Sequence, residues 1–234
     1  MSDSVKKTDN PALVRWLPFA VFMGFIGLEE LLRFFIGKGL IPLMPESLLY
    51  LYPVKVFVVV GILYTFRRHY TELVWRDLLK LPVSLAVTVV GLLVFLFWVN
   101  LDGFVQPTAA GHGYNPMLLP GSLQLPMILF RVFGAALVVP IMEELFWRSF
   151  LLRYIVDTDF EKVQPGHFTW TSFLITVVLF GFEHHLIVAG MVAGIIYNII
   201  LYRTRSLAQC VLAHSVTNLA LAVFVLLYGR WDLW

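Results

Sequence analysis

The sequence predicts an all-α polytopic membrane protein of about seven transmembrane helices, and three observations carry that reading. Apolar residues make up 59% of the 234-residue chain and charged residues 14%, with a mean hydropathy of +0.82, well above a water-facing domain. The apolar residues fall into runs near twenty long, each enough to cross a hydrocarbon core of about 30 Å. Lys and Arg are alternately plentiful and scarce in the connections between the runs.

The N-terminal run follows a short basic stretch and has no small-residue cleavage site, so it is expected to be a retained span and not a removed signal peptide. Span 1 is expected at residues 17–35 and carries Glu29, Glu30 and Arg33 at its far end. Their spacing and place fit a capped, snorkelling cluster better than chemistry. Span 2 covers residues 48–66 with Lys55 inside it. Between Arg67 and Lys80, Tyr70, Val74 and Leu78 recur at helical spacing with basic residues elsewhere, which predicts an amphipathic helix on an anionic leaflet. Span 3 is expected at residues 81–98. Residues 100–122 hold Gly, Pro and Asn but no Lys or Arg, so a loop or re-entrant element is expected.

Span 4 contains VVPIMEELFWRSFLL, residues 138–152, and is expected as one helix over residues 135–154. Span 5 covers residues 168–185 and ends in LFGFEHH. Span 6, residues 187–202, holds Gly190 and Gly194 at the spacing that permits close helix contact. Span 7, residues 207–228, holds His214 and Asn218. An eighth element at residues 118–130 is compatible with the pattern. The whole of 1–234 is read as a single membrane domain, with spans 1–3 and a loop in 1–122 and spans 4–7 in 123–234.

Counting cations fixes the orientation. The N-terminal tail has Lys6, Lys7 and Arg15, the second connection four, the fourth Arg153 and Lys162, and the sixth Arg203 and Arg205. The alternate connections have Lys38, none and none, and the C-terminal tail Arg230, which puts the N-terminus in the cytoplasm. Tryptophans near run ends, including Trp16, Trp98, Trp170, Trp231 and Trp234, fit interfacial anchoring. Cys210 alone excludes an internal disulfide and any four-cysteine metal site, and the net charge of +2 gives no reason to expect a nucleic-acid partner.

Ionisable residues at bilayer depth are costly, and so are functional candidates. Glu144 and Arg148 are four apart and share a helix face, which predicts an ion pair, whereas Glu143 points about 100° away. From the cytoplasmic ends, Glu143 lies about 18 Å deep, His184 about 24 Å and His214 about 12 Å, bracketing the midplane. His214 and Asn218 share a face, and Phe180 lies one turn before His184. Glu143 suits a general base acting on water, and His214 with the Asn218 amide suits an oxyanion site. The same Glu143, His184 and His214 also suit a divalent metal. The duller readings are interhelical hydrogen bonding for the histidines and Asn218, interfacial exposure for His185, and for Glu183 a histidine partner or an exposed position.

The residues Glu143, Glu144 and Arg148 as EExxxR, Phe180 and His184 as FxxxH, and His214 and Asn218 as HxxxN occur in order on three spans. This pattern resembles the CAAX-protease and bacteriocin-processing family of glutamic-type intramembrane endopeptidases, to which the type II CAAX prenyl endopeptidases belong. The phrases EELFWRSFLL, FGFEHHL and AHSVTNL resemble its branch found in bacteria with exosortase-type protein sorting. The resemblance implies a core bundle of that type in a bacterial inner membrane, acting on a membrane-associated protein or peptide. It implies that Glu143 and His184 activate water, that His214 and Asn218 hold the oxyanion, and that Glu144 and Arg148 support them. No cofactor is implied, with a divalent metal the minority alternative. His185 directly after the motif histidine leaves open which ring faces Glu143. The sequence has no HExxH, GxSG or GxGD pattern of other intramembrane proteases. A non-catalytic scaffold or immunity protein and a transporter or proton pathway are the competing readings.

Overall fold

The computed structural model describes residues 10–101 and 113–234. Lys6 and Lys7, and residues 102–112 of the expected loop, lie outside the described residues. Among the described residues the chain forms seven helices: α1 (Leu13–Gly37), α2 (Leu51–Phe66), α3 (Leu81–Leu101), α4 (Gly121–Tyr154), α5 (Trp170–Phe182), α6 (Ile187–Thr204) and α7 (Leu207–Tyr228). With the 3₁₀ turns that flank α2, five elements (Pro45–His69, α3, α4, α6 and α7) are long and apolar enough to cross a membrane. Their outward faces are apolar, with Phe57, Leu85, Val89, Phe97 and Leu125 all exposed. Such a surface suits lipid, and the chain is an integral membrane protein.

Helix pairing follows from small residues. α3 lies along α7, α5 along α6, and α1 along α2, while α7 also touches α4 and α6. A Cβ added at Gly91 would come within 2.6 Å of the Ala213 carbonyl oxygen, so α3 and α7 touch backbone to backbone there. The Gly190 and Gly194 spacing packs α6 on α5. A Cβ at Gly190 would lie 3.1 Å from Gly181 Cα and 3.2 Å from His184 Nδ1, and one at Gly194 3.3 Å from the Phe180 ring. α6 turns sharply into α7 through Arg205, whose φ of 53° is left-handed and whose N–H caps the Leu201 carbonyl.

Four expectations are corrected. α4 begins at Gly121 and not at residue 135, so the extra element expected near residues 118–130 is its first part. Two stretches of wide i→i−5 turns, Gly134–Val138 and Leu145–Leu151, interrupt it and bracket the two glutamates. The second correction concerns α5, which has 13 residues and ends at Phe182. It rises about 20 Å and leaves His184 in the turn to α6 instead of inside a span. Residues 67–80 form the 3₁₀ turns Arg67–His69 and Trp75–Leu79, not an amphipathic helix. Local pattern loses there to tertiary contacts, because Tyr70 is buried and donates to the Val14 carbonyl at 2.9 Å. The last concerns two tryptophans: Trp98 is buried and Trp234 half-buried, both lining one cavity, while Trp170 is 68% exposed. The Glu29 and Arg33 side chains pair at 2.7 Å near the surface, as the capped cluster requires.

Two cations counted for topology are structural as well. Arg15 is buried at the foot of α1 and holds Glu72 through contacts of 2.7 and 2.9 Å, and Arg153 of α4 lies 3.6 Å from the same carboxylate. Ser149 donates to Glu72, and Arg153 donates to the Ser149 carbonyl. This knot ties α1, the 67–80 connection and α4 together at one end of the bundle. Burial opposes ionisation of Glu72, yet the Arg15 and Ser149 contacts hold its carboxyl below the usual glutamate value.

Replacing Glu72 with Ala strands two buried cations, and is expected to cost about 3 kcal/mol, measured by thermal unfolding in detergent. Because its folded value is depressed, the stabilisation by Glu72 is full above the ordinary value of 4.5 and is lost as pH falls below it. An acid titration of unfolding should lose this component in Glu72→Ala.

Candidate functional site

Glu144 and Arg148 form a buried ion pair at 3.1 Å on α4, with both side chains at or below 1% exposure. Neither end is left to the pair alone. Arg148 Nε donates to Asn198 Oδ1 of α6 at 3.2 Å, and the guanidinium lies over the Phe180 ring at 4.4 Å. Asn198 Nδ2 in turn donates to Thr176 Oγ1 of α5 at 3.0 Å. On the other side Glu144 Oε1 is 3.0 Å from His214 Nδ1 of α7. A chain of contacts therefore runs through α5, α6, α4 and α7, with Glu144 Oε2 buried and without a hydrogen-bond partner among the described residues.

That chain orients His214. A carboxylate oxygen only accepts, so Nδ1 carries the proton and Nε2 is left with its lone pair in the neutral ring. Tyr197 stacks on the imidazole, with centroids 5.0 Å apart, and fixes its plane. Nε2 then faces Glu143, whose Oε2 lies 3.9 Å away. This separation exceeds a hydrogen bond. Glu143 Oε2 is buried without a hydrogen-bond partner among the described residues, and the side chain borders a cavity.

The cavity is about 320 Å³ in volume, and its wall includes Glu143, His184, His185, His214 and Asn218. His184 Nδ1 donates to the Phe180 carbonyl at 2.7 Å, which leaves Nε2 as its acceptor, and the ring sits edge-on to Trp98 at 5.2 Å. His185 borders the same space and is more exposed. Among the described residues the ring in ion-pair range of Glu143 is His214, so the geometry departs from a simple choice between residues 184 and 185. No three His, Cys, Asp or Glu side chains among the described residues are placed to hold a metal, so Glu143, His184 and His214 do not form a ready ligand set.

Asn218 is tied to α4 by the wide turn before Pro140. In the i→i−5 ladder Val139 N–H reaches the Gly134 carbonyl. The next donor in that ladder is residue 140, a proline without an N–H, which orphans the Ala135 carbonyl. Asn218 Nδ2 fills the gap at 2.9 Å. One amide hydrogen is used there and the second remains available to the cavity.

Glu183, expected as a histidine partner or an exposed residue, is half-buried and accepts from Trp147 Nε1 at 2.9 Å, and it is a second carboxylate in the cavity wall beside Glu143. Other wall residues were not given a role from sequence. Tyr197 and Asn198, three and four residues after Gly194, were the legible signal on α6. Phe22, Tyr52, Lys55 and Trp98 bring α1 to α3 into the wall, and Arg131 adds a cation from α4.

A family profile described as type II CAAX prenyl endopeptidase Rce1-like matches residues 125–220, somewhat less than half of the chain. The matched stretch contains Glu143, Glu144, Arg148, Phe180, His184, His214 and Asn218. No curated protein and no solved structure matches the chain.

The two adjacent glutamates should behave oppositely when altered. Glu144→Ala leaves Arg148 buried and uncompensated, with an expected loss of about 3–5 kcal/mol. Glu143→Gln removes no hydrogen bond among the described residues and should change stability by less than about 1 kcal/mol. Thermal unfolding of the two variants side by side checks the contrast.

Proposed function

We propose that this chain is an intramembrane endopeptidase that hydrolyses a peptide bond of a membrane-associated protein or peptide. The observation that carries the reading is the Glu143 carboxylate. It is buried, its Oε2 has no hydrogen-bond partner among the described residues, and it faces His214 Nε2 at the wall of a cavity it shares with His184 and Asn218. The family profile over residues 125–220 supports the same reaction class.

In this mechanism a water in the cavity is deprotonated by Glu143, with His184 Nε2 as a second acceptor that orients it. The water oxygen bonds to the scissile carbonyl carbon, and the carbonyl becomes an oxyanion. The proton moves between Glu143 and the adjacent His214 Nε2, and the protonated ring becomes a donor. His214 and the second Asn218 hydrogen then hold the oxyanion. Collapse breaks the C–N bond, and the leaving amine takes the proton back. Glu144 and Arg148 act through His214 as positioning residues. No metal is needed for these steps.

The reading extends to localisation. The bacterial inner membrane with a cytoplasmic N-terminus is supported by Arg15, Arg67, Arg68, Arg76, Arg203 and Arg205 at connections on one side. A link to an exosortase-type sorting system is supported by the EELFWRSFLL, FGFEHHL and AHSVTNL phrases.

The test compares membrane-protein termini by mass spectrometry in cells carrying the wild type or Glu143→Gln. A terminus present only with the wild type is expected, with cleavage reduced about 10³-fold in the variant. Identical termini in both, or ion flux in liposomes without proteolysis, would reject the protease in favour of a scaffold or a transporter. Activity should also survive exhaustive treatment with a divalent-metal chelator, and its loss with recovery on adding zinc would reject the metal-free mechanism.

A further inference from the structure

The cavity has a second end that the hydrolytic chemistry does not use. Lys55 of α2 is 5% exposed, and its Nζ lies 4.5 Å from the centroid of the Phe22 ring and 5.0 Å from that of Tyr52. Arg131 of α4 lies over Tyr52 at 4.5 Å, over Tyr114 at 5.3 Å and over Trp234 at 5.6 Å. Both side chains line the cavity. Aromatic faces offset part of the cost of removing a cation from water, but they leave its N–H donors unmatched. Among the described residues no carboxylate pairs with either cation, and Arg131 Nε is buried without a partner. The nearby Glu29 is taken by Arg33. Lys55 is buried and Arg131 half-buried, and an anion entering the cavity would supply acceptors to their free donors.

Building on the protease reading, we propose that Lys55 and Arg131 form a subsite for a carboxylate of the peptide substrate. The anion belongs at this end because Glu143 and Glu183 make the other end acidic. A peptide is favoured over a lipid phosphate because the same cavity holds Glu143, His184, His214 and Asn218, the residues assigned above to a peptide bond. Arg131 precedes Glu143 by twelve residues, about 18 Å along α4. At about 3.3 Å per residue of extended chain, the recognised carboxylate sits about five residues from the bond that is cut. It is supplied by the substrate's terminus or by an Asp or Glu side chain.

The experiment uses full-length Glu143→Gln protein in phosphatidylcholine nanodiscs, titrated with a fluorescent apolar decapeptide. Four forms are compared: free carboxyl terminus, amidated terminus, and the amidated peptide with Asp or with Asn at an internal position. A carboxylate-bearing form should bind about tenfold tighter than its neutral counterpart, and which pair differs identifies the source. Lys55→Met and Arg131→Gln should each erase the advantage, while Arg131→Lys retains most of it and serves as the folding control. Equal or absent binding of all four forms overturns the subsite, as does an advantage that persists in Lys55→Met/Arg131→Gln. Displacement of every peptide form by phosphatidylglycerol, without discrimination, assigns the cations to lipid and also overturns it. The two readings fail separately. Glu143-dependent cleavage of acid and amide peptides at equal rates retains the protease and removes the subsite. Carboxylate preference without any Glu143-dependent product does the reverse.

Discussion

Arg148 has no route to water. At 1% exposure inside a bundle whose outer face meets lipid, its charge persists only if every donor and every neighbour is arranged around it. Glu144, Asn198 and the Phe180 and Tyr197 rings supply that arrangement from α4, α5 and α6, and His214 joins through Glu144 from α7. The low dielectric makes partial satisfaction expensive. The rotation of four helices is therefore fixed by one guanidinium, and the positions of Glu143, His184 and His214 around the cavity follow from it.

The irregularity of α4 belongs to the same design. Pro140 removes one backbone donor just before the glutamates, and the wide turns at Gly134–Val138 and Leu145–Leu151 flank them. Adjacent residues on a regular helix diverge by about 100°, yet Glu143 and Glu144 are both buried, at 5% and 0% exposure. α4 is enclosed on more than one side, so the two carboxylates reach different surroundings. One enters the ion-pair chain and the other enters the cavity. Wide helical turns are common at functional sites for this reason.

The parts of the fold legible in the sequence were those set by local spacing. The four-residue interval of Glu144 and Arg148, the glycines of α6, the Glu29 and Arg33 cluster and the long apolar runs all translated directly into contacts or spans. The parts missed were those set by contacts distant in sequence. Residues 67–80 have a helical apolar pattern, but Tyr70 and Glu72 are drawn onto Val14 and Arg15, more than fifty residues earlier. Apolar runs do not show where a helix stops, so α5 was read through His185 although it ends at Phe182. Lys55 and Arg131 lie far apart in the chain, and only the packing of α2 against α4 brings both to one cavity.

The brevity of α5 has a consequence for the bilayer itself. A helix of 13 residues covers about 20 Å of a 30 Å hydrocarbon slab, but α6, which leaves the same Glu183 to Leu186 turn, has 18 residues and is long enough to cross it, so the shortfall lies at the Trp170 end of α5. Lipid tails beside the start of α5 must shorten or tilt to meet it, at a cost of a fraction of a kcal/mol per Å of mismatch. Headgroups and their hydration are drawn inward there, beside the exposed Trp170 ring.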